Sequence, residues 1–329
     1  MCIRDSPTVA VVSPVDGSSI MQGELVSIRA EAEDADGSIT EIAIYIEGEE
    51  MASAASTSLV YVWSTADEEV SGYALSATAK DNDGATVAAN ITVLVDSPGG
   101  FNPDLNYGTV SDIDGNIYGT IEIGEQTWMA ENLKVTHYAD GSPIPLVTGE
   151  AEWEALAADA KAYCWYDNLS GYSDTTGALY TWAAAMNGFP GIDTIPSGIQ
   201  GVCPDGWHLP SDAEWKVLEL ALGMSQVQAD SYDWRGNDEG GQLKELGFSK
   251  WEKPNTGASN SSGFTALPGG FRGNQGEFFS LGQYATFWTA SDEEGTGKAW
   301  YRTLRYNHET VYRQYQFMNQ GFSVRCVLD

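Results

Sequence analysis

Asp233-Trp234-Arg235-Gly236-Asn237-Asp238 sets an indole among carboxylates, a guanidinium and an amide in one short run. Sugar rings present apolar C–H faces with hydroxyl rims, so an aromatic plate flanked by hydrogen-bonding side chains is the chemistry that takes them. Trp288 with Ser291, Asp292 and Glu293 repeats that composition. Asp233, Trp234, Arg235, Asn237, Asp238, Trp288 and Asp292 are therefore the ligand-binding candidates. Asp230, Asp233, Asp238 and Glu239 crowd oxygen donors onto the same stretch, the donor type that calcium prefers. Asp34 and Asp36, Asp81 and Asp83, and Asp112 and Asp114 form three Asp-x-Asp-Gly turns. None carries the closing Glu of an EF-hand, and each reads as a tight turn in which Asp bonds its own backbone.

Patterns for catalysis are sparse. His137, His208 and His308 fall far apart in the sequence, and neither a Gly-x-Ser-x-Gly elbow nor a phosphate loop is present. Paired carboxylates for glycoside hydrolysis carry no signal in a chain with 47 acids. No catalytic residue is assigned. His208, in Gly-Trp-His-Leu-Pro, is expected to fix a turn, with Asp205 and Arg272 as its hydrogen-bond partners.

The 47 acids stand against 16 Lys+Arg, a formal charge of -31 over 329 residues. Such a balance disfavours nucleic-acid backbones and anionic membranes as partners and leaves cations and neutral ligands open. Hydrophobic residues at 42% and aromatics at 11% separate the chain from disordered acidic proteins. No stretch approaches the roughly 20 apolar residues that span a bilayer. Met1 to Ser6, including Cys2, read as a non-native leader, which makes the chain a fragment whose native start and export signal are expected upstream.

These residues need elements to hold them. From Pro7 to Ser97, short β-rich runs alternate with turn residues, and Val26, Ile28, Ala30 and Ala32 share one face, as do Tyr73, Leu75, Ala77 and Ala79. The spacing predicts an all-β sandwich with Trp63 in its core. Ser97 to Pro103 is Pro- and Gly-rich and reads as a linker. Beyond it, Ser211 to Glu214 forms a capping box before Trp215, Leu218 and Leu222, which predicts a helix. Thr176–Met186 and Glu150–Lys161 are expected as two further helices. Strands are expected at Phe278–Leu281, Thr286–Ala290, Ala299–Arg305, Val311–Tyr315 and Phe322–Val327, an α+β order. Trp128, Trp182, Trp207, Trp215 and Trp300 fall in these patterns and read as core.

Two resemblances follow from the residues. "VSPVDGSSI", "AEAEDADGSI" and "YALSATAKDNDGA" in the first segment resemble bacterial immunoglobulin-like repeats. In the second, "DIDGNIYGTIEIGEQTWMAENLKVTHYADGSPIP" (Asp112 to Pro145), "YCWYDN", "GALYTWAAAMN", "GVCPDGWHLPSDAEWKVLE" (Gly201 to Glu219), "LPGGFRGNQGEF", "FWTASDE" and "GFSVRCV" resemble the Fibrobacter succinogenes major paralogous domain. That resemblance implies a domain of secreted or surface-attached bacterial proteins, often with immunoglobulin-like neighbours and without an established activity. The capped-helix block and closing strand are also similar to the formylglycine-generating enzyme family, which implies a C-type-lectin-like α+β fold. The copper-dependent oxidase chemistry of that family needs paired late cysteines, and Cys326 has no neighbouring thiol in sequence.

Cys203 and Cys326 fall in the matched blocks, and the extracellular setting the family implies favours a disulfide between them, worth roughly 3–5 kcal/mol by loop entropy. Two buried thiols are the alternative. Cys164 is expected as a buried free thiol, and no zinc spacing is present. The combined expectation is an immunoglobulin-like sandwich (7–97), a linker (98–103) and a lectin-like domain (104–329). It would serve as a secreted or surface binding protein for glycan or a surface protein. A structural scaffold and a hydrolase or oxidase are the rivals.

Overall fold

The computed structural model describes residues 6–66, 68, 69, 71–96 and 100–329. Met1–Asp5 of the expected leader and Ser97–Gly99 of the expected linker lie outside the described residues. Two compact units result, one holding the described residues up to Gly100 with Gly247–Ser249 and the other Phe101–Leu246 and Lys250–Asp329.

The first unit is built from β1 (Thr8–Ser13), β2 (Ser19–Met21), β3 (Leu25–Glu33), β4 (Ile39–Ile46), β5 (Glu49–Ala54), β6 (Ser58–Ser64), β7 (Gly72–Asp81) and β8 (Thr86–Asp96). They form an immunoglobulin-like pair of sheets, ordered β1-β3-β6 and β2-β8-β7-β4-β5. The strand period of two explains the core. Ile28, Ala30 and Ala32 of β3 and Leu75, Ala77 and Ala79 of β7 point inward onto buried Trp63, while Ser27 and Arg29 face out. Each large aliphatic side chain so buried contributes about 1.5–3 kcal/mol. Asp81 Oδ1 accepts from the Asp83 and Ala85 N–H groups at 2.8 and 2.9 Å, the turn-forming role that Asp prefers.

The second unit contains β9 (Gly108–Ser111), β10 (Ile117–Ile123), β11 (Gln126–Met129), α1 (Glu150–Glu154), β12 (Tyr163–Cys164), α2 (Ser173–Thr176), β13 (Leu179–Tyr180), α3 (Trp182–Ala185) and β14 (Trp207–His208). After these come α4 (Asp212–Ala221), α5 (Gln226–Asp230), β15 (Asp233–Arg235), α6 (Glu239–Leu243), β16 (Gly269–Arg272), β17 (Phe278–Leu281), β18 (Tyr284–Glu293), β19 (Lys298–Arg305), β20 (Val311–Phe317) and β21 (Val327–Leu328). One sheet runs β14-β21-β11-β10-β9 and a larger one β15-β20-β19-β18-β16-β17. The capping box holds α4: Glu214 N–H donates to Ser211 Oγ at 3.1 Å, and Ser211 N–H to Glu214 Oε2 at 2.9 Å. Trp215 and Leu218 are buried on the sheet-facing side, with Trp215 5.7 Å from the Phe287 ring of β18.

Three expected elements differ. The helix expected at Thr176–Met186 breaks at Gly177, whose φ is +74° and where a Cβ would lie 2.8 Å from the Leu133 carbonyl oxygen. The chain extends through β13 and turns again into α3, capped by Thr181. Leu179, Trp182, Ala183 and Met186 are all buried, so their spacing reflects burial on every side rather than one helical face. The helix expected at Glu150–Lys161 stops at Glu154, because Trp153 is its one buried anchor. At Phe322–Val327 ladder pairing is confined to β21, with Phe322 and Ser323 making isolated bridges.

Cys203 and Cys326 are disulfide-bonded across a sequence separation of 123. Cys164 is a buried free thiol, and burial pushes its pKa up to about 12. His208 bonds Glu214 Oε1 and Asp329 Oδ1, each at 2.7 Å, and Asp205 and Arg272, expected to bond the turn that His208 fixes, have other partners. Asp205 accepts from Gln200, and Arg272 is buried against the Val147, Thr148, Gly149 and Gly276 carbonyls.

Candidate functional site

Strand alternation gives the larger sheet two different faces. Toward α4 it turns Arg302, Arg313 and Arg235, all buried with Asp212 and Glu219. Arg302 pairs with Asp212 and Glu219, Arg313 with Asp212, and Arg235 with Glu219, each at 2.7 Å. Burial opposes the charge of Asp212, but Arg302 and Arg313 outweigh it and hold the carboxyl well below the usual range.

On the opposite face the same strands turn Trp234, Tyr312, Tyr301 and Tyr284, which with Phe271 and Phe322 wall a cavity of about 300 Å³. Thr286, Thr303, Arg305, Gln316 and Gln320 supply its polar lining, and no carboxylate belongs to it. The half-buried Trp234 indole stacks on His308, 4.1 Å between centroids and 8° between planes. Arg305 sits between two rings, its guanidinium carbon 5.3 Å from the Trp234 centroid and 4.4 Å from that of Tyr284, and it donates to the Tyr284 hydroxyl. Its Nε is buried with no hydrogen-bond partner among the described residues. Gln320 is buried too, and its side-chain amide has no partner among the described residues.

Lys244 fixes the turn that carries Arg305 and His308. Its buried ammonium donates to the Thr256, Arg305 and His308 carbonyls at 2.8, 3.1 and 2.9 Å. Burial pushes its pKa down to about 8. His308 falls below its ordinary pKa, through burial first and then the charges of Arg305 and Lys244.

The residues singled out from sequence scatter around this cavity. Trp234 lines it. Asp233 is exposed at the start of β15 and accepts from Gln314 at 3.4 Å. Arg235, expected on the ligand, points to the other face and is consumed by Glu219, because adjacent strand residues face opposite ways. Trp288 is corrected as well: it is fully buried, packs on Phe322 and donates to the Tyr180 carbonyl at 2.8 Å. Asp292 lies against Gly191, and Asn237 and Asp238 turn into α6; none of the three lines the cavity.

The expected oxygen cluster does not converge. Asp230 accepts from Lys216 and Gln226 at 2.9 Å, and the buried Glu239 turns onto the Asn237 N–H at 2.5 Å. Among the described residues no group of three or more His, Cys, Asp or Glu is placed to hold a metal ion, which includes Asp230, Asp233, Asp238 and Glu239.

Sequence reasoning missed Arg305, Gln320 and the tyrosines. A signal existed: in the expected strand Ala299–Arg305, Tyr301, Thr303 and Arg305 recur at every second position, a polar-aromatic face unlike a core strand. Together the groups offer aromatic surface with donors and acceptors left unengaged, the requirements for an amphipathic ring-shaped ligand.

A family model for the Fibrobacter succinogenes major domain matches residues 121–328, and one for a bacterial Ig domain matches residues 7–77. No curated protein matches the chain. Among solved structures, the Clostridium thermocellum CbhA fibronectin(III)-like modules align at 25% identity with a TM-score of 0.25, over 28% of this chain and 47% of theirs. An engineered protein aligns at 20% identity with a TM-score of 0.21, over 28% of this chain and 20% of its own. At those scores neither alignment carries an argument, and the chain spans less than half of each. The Ig-like unit and the disulfide are consistent with an extracellular adhesion or structural protein. By the match that covers most of its second unit, the chain belongs to the Fibrobacter succinogenes major domain family.

Proposed function

We propose that the protein is a non-catalytic binding protein of the bacterial cell surface or exterior, and that its second unit takes glycan in the Trp234 cavity. The observation that carries this reading is the cavity lining: six aromatic side chains beside an unengaged Gln320 amide and an unpartnered Arg305 Nε. Aromatic faces pack on sugar C–H groups while amide, hydroxyl and guanidinium groups bond the rim. The one long helix packed on a single face of a large sheet supports a C-type-lectin-like α+β fold for the unit. The first unit, with 16 acids against Arg29 and Lys80 in residues 7–97, acts as a soluble adhesion-type module.

A glycan array probed with the full chain, with calcium and with chelator, tests the reading. Binding by the wild type that Trp234→Ala abolishes supports it, and loss on chelation adds a cation to the site. Silence from a demonstrably folded protein moves the assignment to protein adhesion or scaffolding.

A further inference from the structure

The cavity's local charge runs against that of the chain. Over the whole sequence acids outnumber Lys+Arg 47 to 16, yet the lining holds one guanidinium and no carboxylate. Elsewhere, Arg29, Arg235, Arg302 and Arg313 have carboxylate partners. Arg272 and Arg325 spend their N–H groups on carbonyls and an amide. Arg305 differs from both groups. It makes one neutral hydrogen bond, to Tyr284, and has no ion pair among the described residues, while its Nε, like that of Arg235, is buried and unpartnered. A guanidinium with no anionic partner and an unmet donor is unfavourable, and an incoming acceptor relieves it. Carboxylate is the acceptor whose two oxygens match the guanidinium fork.

From this the geometry points to a sugar acid: resting on the glycan reading above, the ligand is a glycan presenting a uronic acid, whose carboxylate meets Arg305 while its ring packs against Trp234 and Tyr301. Gln320 and the paired Thr286 and Thr303 hydroxyls, 3.1 Å apart, are left to read ring hydroxyls. The charge of -31 repels polyanions, so the acid is taken singly, at a chain end or branch, rather than within a polyuronate. One carboxylate does bear on the site: Asp233, which with burial raises the pKa of both Tyr312 and Tyr301. It stands on the exposed rim and opposes an acidic ligand there.

The test uses oligosaccharides carrying one glucuronic, galacturonic or mannuronic acid, each paired with its carboxyl-reduced counterpart, titrated into the full chain at physiological ionic strength. At least one acidic member is expected to bind tenfold or more tighter than its reduced partner. Arg305→Gln should collapse that ratio toward one, and Asp233→Asn, an exposed change, should raise it. Equal or tighter binding of the reduced members overturns the sugar-acid assignment and leaves the glycan reading standing. A ratio that neither variant moves overturns the roles of Arg305 and Asp233. No binding of any member, acidic or neutral, by folded wild type removes both.

Discussion

The Trp234 indole and the His308 imidazole lie parallel, 8° apart in plane, with 4.1 Å between their centroids. This stack fixes the indole as a wall of the cavity, and it couples the site to a titratable group. Burial, Arg305 and Lys244 all disfavour the imidazolium, so His308 is neutral at neutral pH. NMR should show it titrating below the ordinary value of about 6.5. In Trp234→Ala, where solvent reaches the ring, the midpoint is expected to move upward. A midpoint at or above 6.5 in the wild type would contradict the packing.

His208 has the opposite sign. Burial lowers its pKa, but the Glu214 and Asp329 carboxylates outweigh burial and raise it. The stability it contributes is therefore complete below the unfolded value near 6.5 and is lost as pH rises through the raised folded value. His308, with its lowered value, contributes stability that is present above 6.5 and lost on acidification through its folded value. Denaturant midpoints measured from pH 5 to 9 should separate the two: His208→Gln flattens the alkaline decline and leaves the acid-side slope in place.

Asp212 lies between Arg302 and Arg313, so its removal leaves the buried Arg313 guanidinium without a carboxylate and Arg302 with Glu219 alone. Asp212→Asn is expected to destabilise the second unit by about 3–5 kcal/mol, the cost of breaking a buried pair from one side. Urea unfolding followed by Trp fluorescence reads this. A loss below about 1 kcal/mol would place the network in solvent rather than in the core.

The Cys203–Cys326 bond closes a loop spanning a sequence separation of 123. Its loss in the Cys203→Ser, Cys326→Ser double variant is expected to cost about 4–5 kcal/mol on the loop-entropy scale. Reductant should lower the Tm of the wild type and leave that of the double variant unmoved. A wild-type Tm indifferent to reductant would contradict the expectation.

Much of this was legible from residue order, and the reasons differ by element. The capping box at Ser211 and Glu214 is a local device, and the helix starts where the motif says. Alternation in β3 and β7 is equally local, because a half-buried strand writes its two faces into every second residue. Trp234 stood out for its polar neighbours, yet Arg235 beside it was misread, since a three-residue strand is too short to reveal its faces. Trp288 failed for a non-local reason: Phe322, distant in sequence, covers it. The Arg302–Asp212–Arg313 network and the Arg305 cavity depend on strands β15, β18, β19 and β20 meeting in one sheet, which no single motif encodes.

The most direct test of the cavity as the binding site is the affinity of the strongest array glycan for three proteins: wild type, Trp234→Ala and Asp292→Ala. Trp234→Ala is expected to weaken binding tenfold or more, a loss of about 1.4 kcal/mol or greater. Asp292→Ala, outside the cavity, should bind as the wild type does. Undiminished binding by folded Trp234→Ala, or loss in Asp292→Ala alone, would place the ligand elsewhere and contradict the assignment.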